Sequence, residues 1–358
     1  MFYFFFLAIG LSTLFSLILT PLVRNFFCAR HWIEDPLKKQ QKSHNATALK
    51  SVPRGGGIPV FISILVTSLL FLPLDKHLIG ILLASFLTLV VGVADDLFDI
   101  SPHFRLLTNF LAALIIVISG IGIAYLSNPM GSVIDLSQFR FTLNFLGGIH
   151  SVWIVADLLA VFWIMWLMNI IGWSAGVDGQ LPGIVAISAF FVGLIGLRFS
   201  DYSQWPVVIL AGALSGAYFG FMPYNFYPQS VMPGYSGKSL AGLLLAVLSI
   251  LSGAKLASLM FLLGVPMVDA VFVIFRRLLH KRSPFYSDGN HLHHQLLKIG
   301  WSRPRIALFY WSITLVFGLI STFLNSAQKL YFFVGISLLI VSLIIFVSRR
   351  TLQTPSRS

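Results

Sequence analysis

Apolar runs and short polar segments alternate along the whole chain. The apolar runs cover residues 2–22, 57–74, 78–95, 106–126, 151–171, 184–199, 206–222, 239–253, 256–275, 305–324 and 330–348. A helix that crosses a bilayer needs about 20 mostly apolar residues. The pattern therefore predicts an all-α integral membrane protein of about eleven transmembrane helices in a single polytopic domain, residues 1–358. One outer segment follows another rhythm, with Phe139, Phe141, Leu143 and Phe145 alternating with Arg140, Thr142 and Asn144. A period of two predicts a strand, half of a short outer β-hairpin near 133–145.

Orientation follows from the charges. The first charge, Arg24, comes after the first apolar run, which predicts an uncleaved span with the N-terminus outside and the C-terminus cytoplasmic. With eleven spans, nineteen of the 24 Lys and Arg residues then fall on inner segments; Lys76, Arg140, Arg198, Lys255 and Lys329 fall outside. This positive-inside bias accounts for the net charge of +12 without a nucleic-acid partner. A charged fraction of 10% also sets the chain apart from soluble domains, which carry about 25%. The single cysteine, Cys28, excludes an internal disulfide.

The unusual polar residues gather on the inner face. His291, His293 and His294 lie in the basic loop 284–300, where imidazole and Lys/Arg suit a phosphate or a metal. Asp95, Asp96 and Asp99 close the third span, with Asp95 and Asp99 on one helix face. Carboxylates at a helix C-terminus face the negative end of its dipole and call for a compensating cation, a divalent metal or a basic side chain. The glycine-rich loop 169–183 carries Asp178, and the loop 223–238 offers Asn225 and Lys238 as polar contacts. Within the spans, Asp157 is expected to hydrogen-bond between helices, and Asp269 to support the inner-face site.

These residues also carry a resemblance. Pro53-Arg54-Gly55-Gly56-Gly57, Asp95-Asp96-Leu97-Phe98-Asp99, Gly176-Val177-Asp178-Gly179, Asn225, Arg282-Ser283-Pro284-Phe285 and His291-Leu292-His293-His294 resemble motifs of the polyprenyl-phosphate N-acetylhexosamine-1-phosphate transferases, glycosyltransferase family 4. The resemblance covers nearly the whole chain and implies a bacterial cytoplasmic-membrane enzyme. Such an enzyme moves a sugar-1-phosphate from a UDP-sugar to a polyprenyl phosphate, and its assemblies include a homodimer. By the resemblance, Asp95 binds or deprotonates the lipid phosphate, Asp96 and Asp178 hold Mg²⁺ or Mn²⁺, and Asp178 and Asn225 meet the nucleotide sugar. His291, His293, His294, Arg54 and Arg282 neutralise the diphosphate. Two departures stand out. Tyr235 replaces the metal-binding aspartate of the family's Gly-Asp-x-Gly turn, and Gly172 replaces an asparagine. They leave open a catalytically impaired relative acting as a membrane scaffold or lipid-phosphate binder. A transporter, suggested by the span count and Asp157, is disfavoured because its site would lie near the bilayer midplane.

Overall fold

A computed structural model describes residues 1–35, 50–128, 133–145, 148–198, 204–252, 256–283 and 289–353. Among them are thirteen helices: α1 (Phe2–Ala29), α2 (Gly57–Phe71), α3 (Lys76–Phe98), α4 (Pro102–Ile118), α5 (Ile154–Trp173), α6 (Gln180–Gly196), α7 (Trp205–Asn225), α8 (Gly234–Leu251), α9 (Leu256–Leu262), α10 (Gly264–Leu279), α11 (Leu292–Lys298), α12 (Arg303–Phe323) and α13 (Ser326–Gln353). Seven are long and apolar enough to cross a membrane, and the bent pair α9–α10 makes an eighth. This is the architecture of an all-α membrane protein. Large apolar side chains such as Phe2, Leu69, Phe162, Leu319 and Leu338 remain exposed on it, as a lipid-facing surface requires.

Local chemistry sets where the helices begin and end. Asp75 caps α3 by accepting from the Leu78 N–H at 2.8 Å, and Asp99 ends it in the left-handed region. Ser101 caps α4, with Pro102 at the first helical position. The apolar pattern carries that helix to residue 126, but it stops at Ile118, where Gly120 takes a φ of +93°. A second departure concerns the run 256–275, expected as one span. The chain bends there by 82° between α9 and α10. Pro266 is the cause we assign: it has no N–H to continue the ladder, and its ring clashes with the carbonyl four residues back.

Among the described residues, six short strands accompany the helices. β1 (Ile33–Glu34) pairs with β2 (Val52–Pro53), and β3 (Tyr125–Ser127) with β4 (Val133–Asp135). β5 (Arg140–Phe145) runs antiparallel to β6 (Gly148–Trp153). The last strand occupies residues that the apolar pattern gave to the fifth span. The helix starts instead at Ile154, because the Asp157 carboxylate accepts from the Trp153 N–H at 2.9 Å. Asp157 thus caps its own helix rather than bridging two.

Close backbone approach holds the bundle together. Gly212, Gly216 and Gly220 on α7 face the α1 carbonyls of Phe5, Ile9 and Thr13, with no room for a Cβ at the last two. Small residues at four-residue spacing allow such contact where lipid supplies no hydrophobic drive. Loops dock as tightly: the Met232 N–H donates to Pro53 O, and the Gly56 N–H to Met232 O. This docking sets the segment before α2 against the start of α8.

Candidate functional site

The centre of the site is Arg54. Its Nε lies 3.1 Å from Glu34 and 3.4 Å from Asp96, and its terminal nitrogens 3.9 Å from Asp95 and 3.1 Å from Asp99. The β1–β2 ladder brings Glu34 to this cluster. Burial works against the guanidinium charge, but Asp96, Glu34 and Asp99 outweigh it and raise the pKa. Arg105, from the first turn of α4, adds a bond from Nε to Asp95 Oδ1 at 2.6 Å. The cation demanded by the aspartates of α3 is therefore a pair of arginines. Asp95 is fully buried, and its Oδ2 accepts no hydrogen bond.

Asp96 joins two helices. Its Oδ1 accepts from the Tyr235 N–H at 2.6 Å, and its Oδ2 from the Ser236 N–H at 3.3 Å and the Ser236 hydroxyl at 2.7 Å. A carboxylate from the end of α3 so caps the start of α8, where the positive end of the dipole favours it. The Tyr235 hydroxyl donates to Asn109 Oδ1 at 3.0 Å, and its ring lies 5.2 Å from the Arg105 guanidinium carbon. Lys238, half-buried, is near enough to Arg54, Glu34, Asp96, Arg105 and His293 to feel their charges, and burial lowers its pKa to about 8.

A second carboxylate centre borders the first turn of α6. Asp178 accepts from Arg303 at 3.2 Å and from the Gln229 N–H at 3.4 Å. Asn225 is enclosed: its Oδ1 accepts from the Gly179 N–H, and its amide donates to Gln229 and Val231 O. In this arrangement it fixes the glycine loop.

The histidines form the third group. Asp269 accepts from His291 Nδ1 and from the Leu292 N–H, both at 2.9 Å. This fixes the His291 ring, which lies 6.1 Å from the Trp173 ring. The His293 ring is parallel to it at 5.8 Å, and His294 packs 4.2 Å from His293. His293 fills the space beside Gly176 that any Cβ there would occupy. Burial first, and then His294, His291 and Lys238, hold its pKa well below the ordinary value, so its imidazole stays neutral. Arg282 lies exposed just past α10, its N–H donating to Arg277 O. Its neighbours Pro284 and Phe285 lie outside the described residues.

The arrangement thus brings Arg54, Asp95 and Asp96 together, with Lys238 near enough to Arg54, Asp96 and His293 to feel their charges. Sequence reasoning passed over Glu34, Arg105, Asn109, Trp173 and Arg303. Arg105 alone had a visible signal, as the only basic residue of its inner segment. A divalent cation does not fit the carboxylates as they stand. The oxygens of Asp96 and Asp178 are taken by protein donors, and among the described residues no three His, Cys, Asp or Glu converge as metal ligands. What the site offers an anion is its side-chain cations, Arg54, Arg105, Lys238 and Arg303.

Residues 78–253 match the family model for glycosyl transferase family 4. A probable undecaprenyl-phosphate N-acetylglucosaminyl 1-phosphate transferase of Bacillus subtilis is 28% identical, over 93% of this chain and 87% of its own length. A decaprenyl-phosphate N-acetylglucosaminephosphotransferase of Mycobacterium tuberculosis is 27% identical, over 75% of this chain and 72% of its own length. A phospho-N-acetylmuramoyl-pentapeptide-transferase of Campylobacter jejuni is 27% identical, over 75% of this chain and 80% of its own length. The matched stretch holds Asp95, Asp96, Asp178, Asn225 and Lys238, and the similarity to the first relative runs through nearly the whole chain: what this chain resembles, over residues 78–253 and beyond, is glycosyl transferase family 4.

Proposed function

We propose that the protein transfers an N-acetylhexosamine 1-phosphate from a UDP-sugar to a polyprenyl phosphate at the cytoplasmic face of a bacterial membrane, for cell-wall or surface-polysaccharide synthesis. A phosphate oxygen of the lipid attacks the phosphorus that bears the sugar. The bond from that phosphorus to the bridging oxygen breaks, and UMP leaves. The activities named for the three relatives support this class of reaction. The observation that carries it to this chain is the Arg54–Lys238–Arg105 cluster at one end of an apolar bundle. Phosphoryl transfer asks a protein mainly for positioning and for neutralisation of phosphate oxygens. Asp95, whose Oδ2 accepts no hydrogen bond, is the residue we assign to the lipid phosphate; Asp178 and Arg303 are those for the nucleotide sugar.

The three shorter apolar helices α2, α4 and α6 bring the apolar segments to the expected eleven, which supports eleven crossings, and the charge bias supports an N-terminus outside. The test of the reaction is direct. Purified protein, labelled UDP-sugars and undecaprenyl phosphate should give lipid-extractable label with at least one sugar. No label with any UDP-sugar, with or without a divalent cation, overturns the assignment.

A further inference from the structure

Two acidic residues of this site, Asp96 and Asp178, are committed to protein partners, and Asp95 keeps one oxygen, Oδ2, without a hydrogen bond. Asp96 caps α8 and pairs with Arg54, and Asp178 pairs with Arg303. At the start of α8 the side chain aimed among the aspartates is a phenol, Tyr235, itself engaged by Asn109 and Arg105. One turn further along the same helix, Lys238 lies near enough to Arg54, Glu34, Asp96, Arg105 and His293 to feel their charges, and burial lowers its ammonium pKa to about 8, still protonated at neutral pH. A divalent ion placed there would meet Lys238, Arg54 and Arg105, all of like charge. It would also find the carboxylate oxygens of Asp96 and Asp178 already taken by protein donors, where Mg²⁺ needs them free. An ammonium has the opposite fit. It is a compact charge with three donors, and Lys is a common phosphate ligand in that role.

We infer that Lys238, with Arg54 beside it, supplies the positive charge that a divalent cation would otherwise bring, so that this chain holds its diphosphate substrate without a metal. The inference rests on the transferase reading above, and it makes the tyrosine and the lysine of α8 a matched pair. The first has no carboxylate with which to draw a metal, and the second makes one unnecessary.

Binding tests this apart from turnover. The full chain in detergent is titrated with UDP by calorimetry, once in chelator and once in millimolar Mg²⁺. The expected Kd changes by less than about threefold between the two. Lys238→Met should weaken binding in chelator by about tenfold or more, the scale of one charge-assisted hydrogen bond. Lys238→Arg, which keeps the charge, should recover most of the loss. The double variant Tyr235→Asp, Lys238→Ser should bind UDP only when Mg²⁺ is present, a gained dependence that misfolding cannot imitate. If unmodified protein loses UDP in chelator and regains it with Mg²⁺, the inference is wrong and the transferase reading stands. If it binds UDP in neither condition, both fall.

Discussion

Arg54 shows how much one residue can organise. Four carboxylates surround it, and without it Asp95, Asp96, Asp99 and Glu34 would repel one another in a partly buried space. Asp96 carries the next largest share, since its two oxygens hold the start of α8 in place. Asp96→Asn keeps the shape but loses the charge. It should cost about 1.5–3 kcal/mol of stability, the range for hydrogen bonds to charged groups, in a denaturation series in detergent. Turnover should fall by roughly a hundredfold or more, the scale of losing one electrostatic group at a reacting centre. His293 gives a pH dependence with a definite sign. The unfolded chain takes up a proton near pH 6.5, but the buried imidazole resists it. Stability is complete above about pH 6.5 and is lost as the pH falls below it, because there the unfolded state binds more protons. The Tm should drop as the pH goes from about 7 to 5, and it should drop less for His293→Gln. Equal slopes for the two proteins would remove His293 as the cause. The aspartates and histidines were legible in the sequence because ionisable groups stand out against apolar runs. Glu34 and Arg303 were not, because a charge flanking a helix resembles any solvated one. Only the partner gives it meaning, and Arg303 and its partner Asp178 are 125 residues apart.

At the scale of elements, the join between α3 and α8 is the feature most exposed to change. Gly234 takes a φ of +68°, and a Cβ there would collide with the Asp96 carboxylate and with Arg54 O. Gly234→Ala should destabilise by more than the 1–2 kcal/mol or so that the left-handed conformation alone costs. It should also loosen the capping of α8, seen as faster amide exchange at Tyr235 and Ser236. Wild-type exchange in that variant would show that the turn shifts elsewhere. Most helices were legible as apolar runs. Their ends and breaks were less so, since these depend on single residues. Gly120 stops α4 short, Asp157 delays α5 by a few residues, and Pro266 hides in an apolar stretch while it bends the chain.

At the scale of the whole molecule, the proposed orientation rests on the distribution of charge. The one cysteine makes it testable without a cysteine-free background. Cys28 is exposed near the end of α1, next to Phe27, whose ring lies against Gly55 beside Arg54. A maleimide that cannot cross membranes should label Cys28 in inverted vesicles and not in intact spheroplasts. Labelling in spheroplasts alone would reverse the topology. The seam between α3 and α8 has a further consequence, for the order of synthesis. Asp96 and Tyr235 are separated by 139 residues, and Arg303 enters the chain later still. While the ribosome makes the intervening helices, the carboxylates of α3 must wait at the membrane surface, paired among the described residues with Arg54 and Arg105. The proposed phosphate site therefore closes late, when more than four-fifths of the polypeptide has been made. A nascent chain released before that point would carry an exposed acidic cluster for quality-control proteases to find.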